Sequence, residues 1–211
     1  QVPVVAAPAG LALGGGLEMC LAADGVQAYG ELYAGLVEAG VGLLPGGGGN
    51  MRMIERMLEA LPPDTRTSNF GYIARAFELI AMVKISFSAG EAKNYRYIRQ
   101  SDGITLSRDR LIGDAKERVL HMSKMGYRPG VPKKFKLPGE SGYATIMAQV
   151  RSFQDGHFIS AHDAKIAGKI AWVLCGGRAG TEAVGEQYLL DIEREAFVSL
   201  CGEEKTLARI Q

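Results

Sequence analysis

Residues 12–24 read ALGGGLEMCLAAD, in which three consecutive glycines stand directly before Glu18 and an apolar run. The preceding residues, 2–13, are apolar and rich in β-branched side chains, which predicts a buried strand that leads into the glycines. The residues after the glycines favour a helix. Because glycine loses more conformational freedom on folding than any other residue, three in a row indicate that another group approaches this backbone closely.

A bare backbone between a strand and a helix suits three roles. A phosphate-binding loop needs a GxGxxG or GxxxxGK[ST] pattern after the strand, and this segment has neither. Close packing of the helix against the strand is the second role. The third is an oxyanion site, in which an N–H at the helix N-terminus faces developing negative charge.

A second glycine run bears on this choice. Residues 35–49 read GLVEAGVGLLPGGGG and place Glu38 twenty residues after Glu18. Residues 50–61 then predict a helix with Asn50 as its N-cap. The predicted order is strand, glycine turn, glutamate, helix, strand, glutamate, glycine turn, helix.

These two segments resemble the enoyl-CoA hydratase (crotonase) superfamily, whose motifs NGxALGGGxEL and PExxLGxxPGxGG correspond to PAGLALGGGLEM and LVEAGVGLLPGGGG here. The resemblance implies an α/β fold of the crotonase type, a superhelix of ββα turns. It implies that Glu18 and Glu38 are the catalytic pair and that the Gly15 N–H is one of two oxyanion donors. It also implies a substrate-binding role for a further set of residues, namely Leu13, Gly14, Gly16, Pro45 and Gly46.

The implied reaction is the hydration of a trans-2-enoyl-CoA thioester, with Glu18 activating the water and Glu38 exchanging the proton at Cα. This step needs no cofactor and no metal, and the three histidines, at positions 121, 157 and 162, show no metal-ligand spacing. A Δ3,Δ2-enoyl-CoA isomerase is the alternative enzyme. It would rely chiefly on one glutamate, so the presence of both favours the hydratase.

The sequence departs from the family pattern in several places. The loop over residues 60–72 looks longer than usual. The stretch FSAG, residues 87–90, looks like the family's other oxyanion motif, but it follows the first glycine run instead of preceding it. Ser88 and Glu91 also form a capping-box pattern there, so we predict a helix cap and not an oxyanion donor. The second donor is then expected upstream of Gln1, and the chain is expected to be an N-terminally truncated fragment that is inactive alone.

The proline- and glycine-rich stretch 126–142 predicts a subdomain boundary. We expect a partial crotonase core over residues 1–125 and a helical C-terminal subdomain over 126–211, with helices at 143–155, 161–174 and 181–200. The tail, residues 193–211, resembles the end of multidomain fatty-oxidation proteins in which a 3-hydroxyacyl-CoA dehydrogenase region precedes the hydratase. NAD is expected only for that region, which this chain lacks.

The composition of the chain excludes several classes of binding partner. The 24 basic and 23 acidic residues leave a net charge of +1, which gives no electrostatic footprint for nucleic acid or a membrane surface. No apolar stretch is long enough for a membrane span. Three cysteines without a CxxC pair favour a reducing cytoplasm. The expected partners are an acyl-CoA thioester and a second copy or a dehydrogenase domain or subunit. A non-catalytic docking module of a fatty-oxidation complex is the alternative outside the enzymes.

Overall fold

The computed structural model describes residues 2–61, 68–180 and 182–211. The centre of the long loop predicted over residues 60–72 therefore lies outside the described residues. Short strands and longer helices alternate in the following order: β1 Val5–Ala6, β2 Gly10–Leu13, α1 Gly15–Ala22, β3 Gly25–Tyr29, β4 Leu32–Gly35, α2 Gly49–Leu58, α3 Phe70–Ala81, α4 Ala89–Asn94, β5 Gly103–Thr105, α5 Leu111–Lys124, β6 Lys134–Lys136, α6 Gly139–Asp155, α7 Ala161–Leu174, β7 Ala183–Gly185, α8 Glu186–Cys201 and α9 Glu204–Ile210.

The first four strands alternate between two parallel sheets. β1, β3 and β5 form one sheet in that order, while β2 pairs with β4 in the other. Each successive strand pair thus adds one rung to both sheets, and α1 connects the first rung to the second. The parallel pairing of β2 with β4 sets Leu13 beside Gly35, so the chain leaves both strands at the same edge. This arrangement confirms the predicted stack of ββα turns and brings the two glycine runs to one end of it.

One buried apolar cluster runs through the helices that surround the strands. Leu21 of α1 and Ile54 of α2 belong to it, as do Ile170 of α7 and Leu189 of α8. Helices from both sides of residue 126 therefore share this cluster, and the boundary at that residue stays a prediction. Over the described ranges, no helix combines the length and the apolar character that crossing a lipid bilayer requires.

The start of α2 differs from the sequence prediction. The helix begins at Gly49, and Gly48 precedes it with φ 101°, a left-handed conformation that favours glycine. Asn50 lies inside the first turn and donates its side-chain N–H to the carbonyl of Pro45 at 3.1 Å. The prediction that Asn50 caps this helix is therefore wrong.

Two further elements correct the sequence analysis. β6 lies inside the predicted connector and pairs antiparallel with β7, so the helix predicted over 181–200 begins only at Glu186. β6 has a single buried side chain, Phe135, between two exposed lysines, which is too short an alternation to be recognised in the sequence. The helix predicted at residues 161–174 is confirmed with those bounds.

Candidate active site

The Glu18 carboxylate lies in the first turn of α1, 8% exposed, and faces the second glycine run. Its Oε1 accepts the N–H groups of Gly47 and Gly49, each at 2.8 Å. A Cβ atom on Gly47 would lie 2.7 Å from Glu18 Oε2, and one on Gly49 would lie 2.8 Å from Oε1. A side chain at either position would displace the carboxylate, so glycine lets the backbone approach it as closely as it does.

Glu38 opens a 3-10 turn, Glu38–Val41, and its carboxylate faces the first glycine run. A Cβ atom on Gly14 would lie 3.1 Å from Glu38 Oε1. Glu38 Oε2 is buried and accepts no hydrogen bond from the part of the chain that the structure describes. The pKa of Glu38 is raised to about 7, mainly by burial and also by the nearby charge of Glu18, which together outweigh the lowering effect of local backbone N–H groups.

The two carboxylates converge on consecutive residues of one turn. Glu38 lies against Gly14, and Glu18 Oε2 is 3.9 Å from the position that a Cβ atom of Gly15 would occupy. Gly15 is exposed, and its N–H donates to no acceptor within residues 2–61, 68–180 and 182–211. This N–H belongs to the positive end of the α1 dipole, where negative charge is stabilised. The first glycine run therefore places the unpaired Gly15 N–H beside the carboxylates of Glu18 and Glu38.

The remaining residues predicted from the first glycine run occupy distinct places around this turn. Leu13 ends β2 and is half-buried. The Gly14 N–H donates to the carbonyl of Gly35 at 2.8 Å, so it is engaged in the fold. Gly16 is exposed, and a Cβ atom there would meet nothing within 4 Å. Open space therefore lies beside Gly16, next to the free donor.

The two residues predicted from the second run contact the protein itself. Pro45 is buried, and its carbonyl accepts the Asn50 side-chain N–H. A Cβ atom on Gly46 would lie 2.6 Å from the ring of Phe197 in α8. The geometry thus gives both residues a role in holding the turn, and their substrate-binding role stays a prediction.

The FSAG stretch is engaged in the fold. The Ser88 hydroxyl accepts the Glu91 N–H at 3.1 Å and caps α4, while the Glu91 carboxylate accepts the N–H of Phe87. The Ala89 N–H donates to the carbonyl of Gly30 at 3.0 Å. Because this N–H is already paired, the geometry agrees with the prediction that the stretch is a cap and not an oxyanion donor.

The sequence analysis missed one buried carboxylate at this site. Glu193 of α8 is 1% exposed and accepts the N–H groups of Gly48 at 2.6 Å and Asn50 at 2.9 Å. It caps α2 from 143 residues away. The available signal was its position on the apolar stripe of α8, four residues after Leu189 and three before Ala196, where a carboxylate is out of place.

Alanine substitutions at Gly14 and Gly16 should differ in their effects on stability. Gly14 has φ 54° and faces Glu38, so Gly14→Ala should lower the free energy of unfolding by about 1–3 kcal/mol. Gly16 is helical with open space around it, so Gly16→Ala should leave that free energy unchanged or raise it by up to about 1 kcal/mol. Urea unfolding of both variants tests this. Equal destabilisation by the two would contradict the assigned packing.

The alternating parallel strands and the glycine turn with its flanking acids define a protein of the crotonase-like fold class. The solved structure of an enoyl-CoA hydratase/isomerase from Pseudoalteromonas atlantica T6c matches 99% of this chain and 59% of its own, with a TM-score of 0.56 at 15% identity. A carnitinyl-CoA hydratase from Mycobacterium avium matches 97% of this chain and 57% of its own, with a TM-score of 0.53 at 22% identity. These likenesses show the fold, and the structural neighbours are crotonase-superfamily members.

Nearly the whole of this chain is also similar in sequence to part of a curated protein. A probable 3-hydroxyacyl-CoA dehydrogenase of Bacillus subtilis (strain 168) is 47% identical over 212 aligned residues. The match covers 99% of this chain and 26% of that protein, so the chain spans about a quarter of this relative. No protein-family model matches the chain.

Proposed function

We propose that this region hydrates trans-2-enoyl-CoA thioesters to 3-hydroxyacyl-CoA. The observation that carries the proposal is the convergence of Glu18 and Glu38 on the turn that presents the free Gly15 N–H. A hydrogen-bond donor to the developing negative charge, a base and an acid are the three groups that the addition of water to an α,β-unsaturated thioester needs.

The geometry suits a division of labour between the two acids. Glu18 Oε1 is held by two backbone N–H groups, which leaves Oε2 to take a proton from water as the oxygen bonds to Cβ of the substrate. Glu38, with a pKa of about 7, is partly protonated at neutral pH and can give its proton to Cα. The Gly15 N–H stabilises the negative charge on the thioester oxygen, and one such donor is worth about 3–4 kcal/mol. The pair then regains its original protonation by proton exchange with solvent.

An isomerase would move a double bond with one proton-shuttling acid. Here both carboxylates reach the same turn, and the second has no evident structural partner at its buried Oε2 within the described residues. A carboxyl oxygen left free in a buried position suits an acid that acts on substrate better than one that supports the fold. This favours the hydratase over the isomerase.

The B. subtilis relative supports a wider setting for this activity. We propose that the region works within a longer protein of fatty-acid oxidation that also carries a 3-hydroxyacyl-CoA dehydrogenase region. NAD would serve that other region, and the product of hydration would be the substrate for its oxidation. The dehydrogenase domain, or a second copy of the chain, would be its protein partner. A cytoplasmic location fits the free thiols of Cys20, Cys175 and Cys201.

The direct test follows the absorbance of the conjugated double bond of crotonyl-CoA in the presence of the full-length gene product. The hydratase proposal expects the absorbance to fall as water adds, together with formation of 3-hydroxybutyryl-CoA by mass spectrometry. A parallel assay with 3-enoyl-CoA reports isomerisation. Isomerisation without hydration would replace the proposal by its alternative. Inactivity of the full-length protein on both substrates would reject an enzymatic role for this region.

A further inference from the structure

Five consecutive N–H groups at the second glycine run are divided between two carboxylates. Gly47 and Gly49 donate to Glu18, while Gly48, Asn50 and Met51 donate to Glu193, the last at 3.4 Å. The first three N–H groups therefore point alternately toward the candidate site and toward α8. The peptide planes of neighbouring residues share Cα atoms, so the direction of one N–H constrains the direction of the next.

Glu193 is held at this turn without a cation. Within the described parts of the chain it forms no ion pair, and its carboxylate is bound by backbone N–H groups at the positive end of α2. A serine or asparagine at the N-cap would satisfy the same helix end with a neutral group. Burial raises the pKa of Glu193 to about 7, and the charge of Glu18 also raises it. A buried acid at this helix end therefore costs more folding stability than a neutral N-cap residue would.

We infer that Glu193 is a positioning residue for Glu18. By fixing the N–H groups of Gly48 and Asn50 on the far side of the turn, it aims those of Gly47 and Gly49 at Glu18 Oε1 and leaves Oε2 directed at the substrate water. The catalytic consequence rests on the proposed hydratase function, whereas the structural coupling does not. Glu193 contacts no reacting atom in this scheme.

The variant Glu193→Gln tests whether Glu193 only caps α2 or also positions Glu18. A glutamine offers one acceptor oxygen, so its NH2 group must face either the Gly48 or the Asn50 N–H, and the turn must rotate away. The matched control is Glu195→Gln, two residues along α8 on its exposed side. We expect Glu193→Gln to lower kcat for crotonyl-CoA by roughly 10- to 100-fold with KM changed less than about threefold, because misplacement of a catalytic group affects the chemical step. Glu195→Gln should match wild type.

A second readout is independent of activity. In protein labelled with 15N-glycine, the amide proton shifts of Gly47 and Gly49 report their bonds to Glu18. We expect both to move upfield in Glu193→Gln and to stay in place in Glu195→Gln. Unchanged Gly47 and Gly49 shifts in folded Glu193→Gln would overturn the inference. If these shifts move while wild type hydrates nothing, the coupling stands and the proposed function fails.

A titration covers the case in which Glu193→Gln does not fold. In the Glu38→Gln background, which removes the other carboxyl group with a pKa near 7, lowering the pH from 8 to 6 protonates Glu193. Among the residues that the structure describes, Glu18 is the charged group that acts on Glu193. The Gly48 amide should shift over this range, and the amides of Gly47 and Gly49 should shift with it. Movement of Gly48 alone would overturn the inference.

Discussion

Substituting Glu18 by glutamine in the full-length gene product should lower kcat for crotonyl-CoA hydration by roughly 10³-fold, in the middle of the range for loss of a positioned general base. The substitution is nearly isosteric. A glutamine oxygen can still accept the N–H groups of Gly47 and Gly49 in place of Oε1. The group at the Oε2 position then becomes an NH2, which cannot take a proton from water.

The same substitution should leave the fold almost unchanged, because both backbone hydrogen bonds remain. The thermal unfolding midpoint of Glu18→Gln and the positions of the Gly47 and Gly49 amide resonances should therefore stay close to wild type. Glu31→Gln is the matched control, since Glu31 is exposed in the turn between β3 and β4. A well-folded Glu18→Gln protein with kcat within threefold of wild type would remove Glu18 from the chemistry.

The sequence predicted the turn around Glu18 and Glu38 because its determinants are local. Glycine is favoured where a Cβ atom would strike a carboxylate, as at Gly47 and Gly49, and where φ is positive beside a carboxylate, as at Gly14. These requirements leave a readable pattern in two short segments. The alternation of strands between two sheets follows from the same segments, since the first glycine turn comes directly after β2 and the second follows β4 after the 3-10 turn Glu38–Val41.

The features that the sequence analysis missed depend on distant partners. Asparagine is a common N-cap residue, yet Glu193 of α8 caps this helix instead of Asn50. The local sequence around Asn50 cannot predict that distant contact. The pairing of β6 with β7 joins two three-residue strands about 50 residues apart, each with one buried side chain. Such short strands are stabilised by their partner and not by their own pattern.

The pH dependence of hydration should report the proton on Glu38. Burial raises the pKa of this carboxyl to about 7, so its protonated form is lost as the pH rises through that value. The proposed reaction needs one proton shared by the pair, with Glu18 as the base and Glu38 as the acid. We therefore expect kcat/KM for crotonyl-CoA to fall above about pH 7. Because kcat/KM reflects the free enzyme, the fall should follow the titration of the unliganded pair.

Glu38→Gln should remove both the catalytic acid and the fall of kcat/KM above pH 7. We expect kcat/KM at pH 7 to fall by roughly 10²- to 10⁴-fold, and the residual rate to show no fall above pH 7, since no proton is left to lose at that position. Any change that remains between pH 6 and 8 should follow the titration of Glu193, whose pKa is also raised to about 7. Glu31→Gln should keep the wild-type profile and shows whether the fall above pH 7 comes from general charge effects.

The reverse dehydration of 3-hydroxybutyryl-CoA must show the same kcat/KM profile, because adding water consumes no net proton and the equilibrium constant does not depend on pH. A wild-type profile that persists in Glu38→Gln would assign the fall above pH 7 to another group and leave Glu38 without its proposed role.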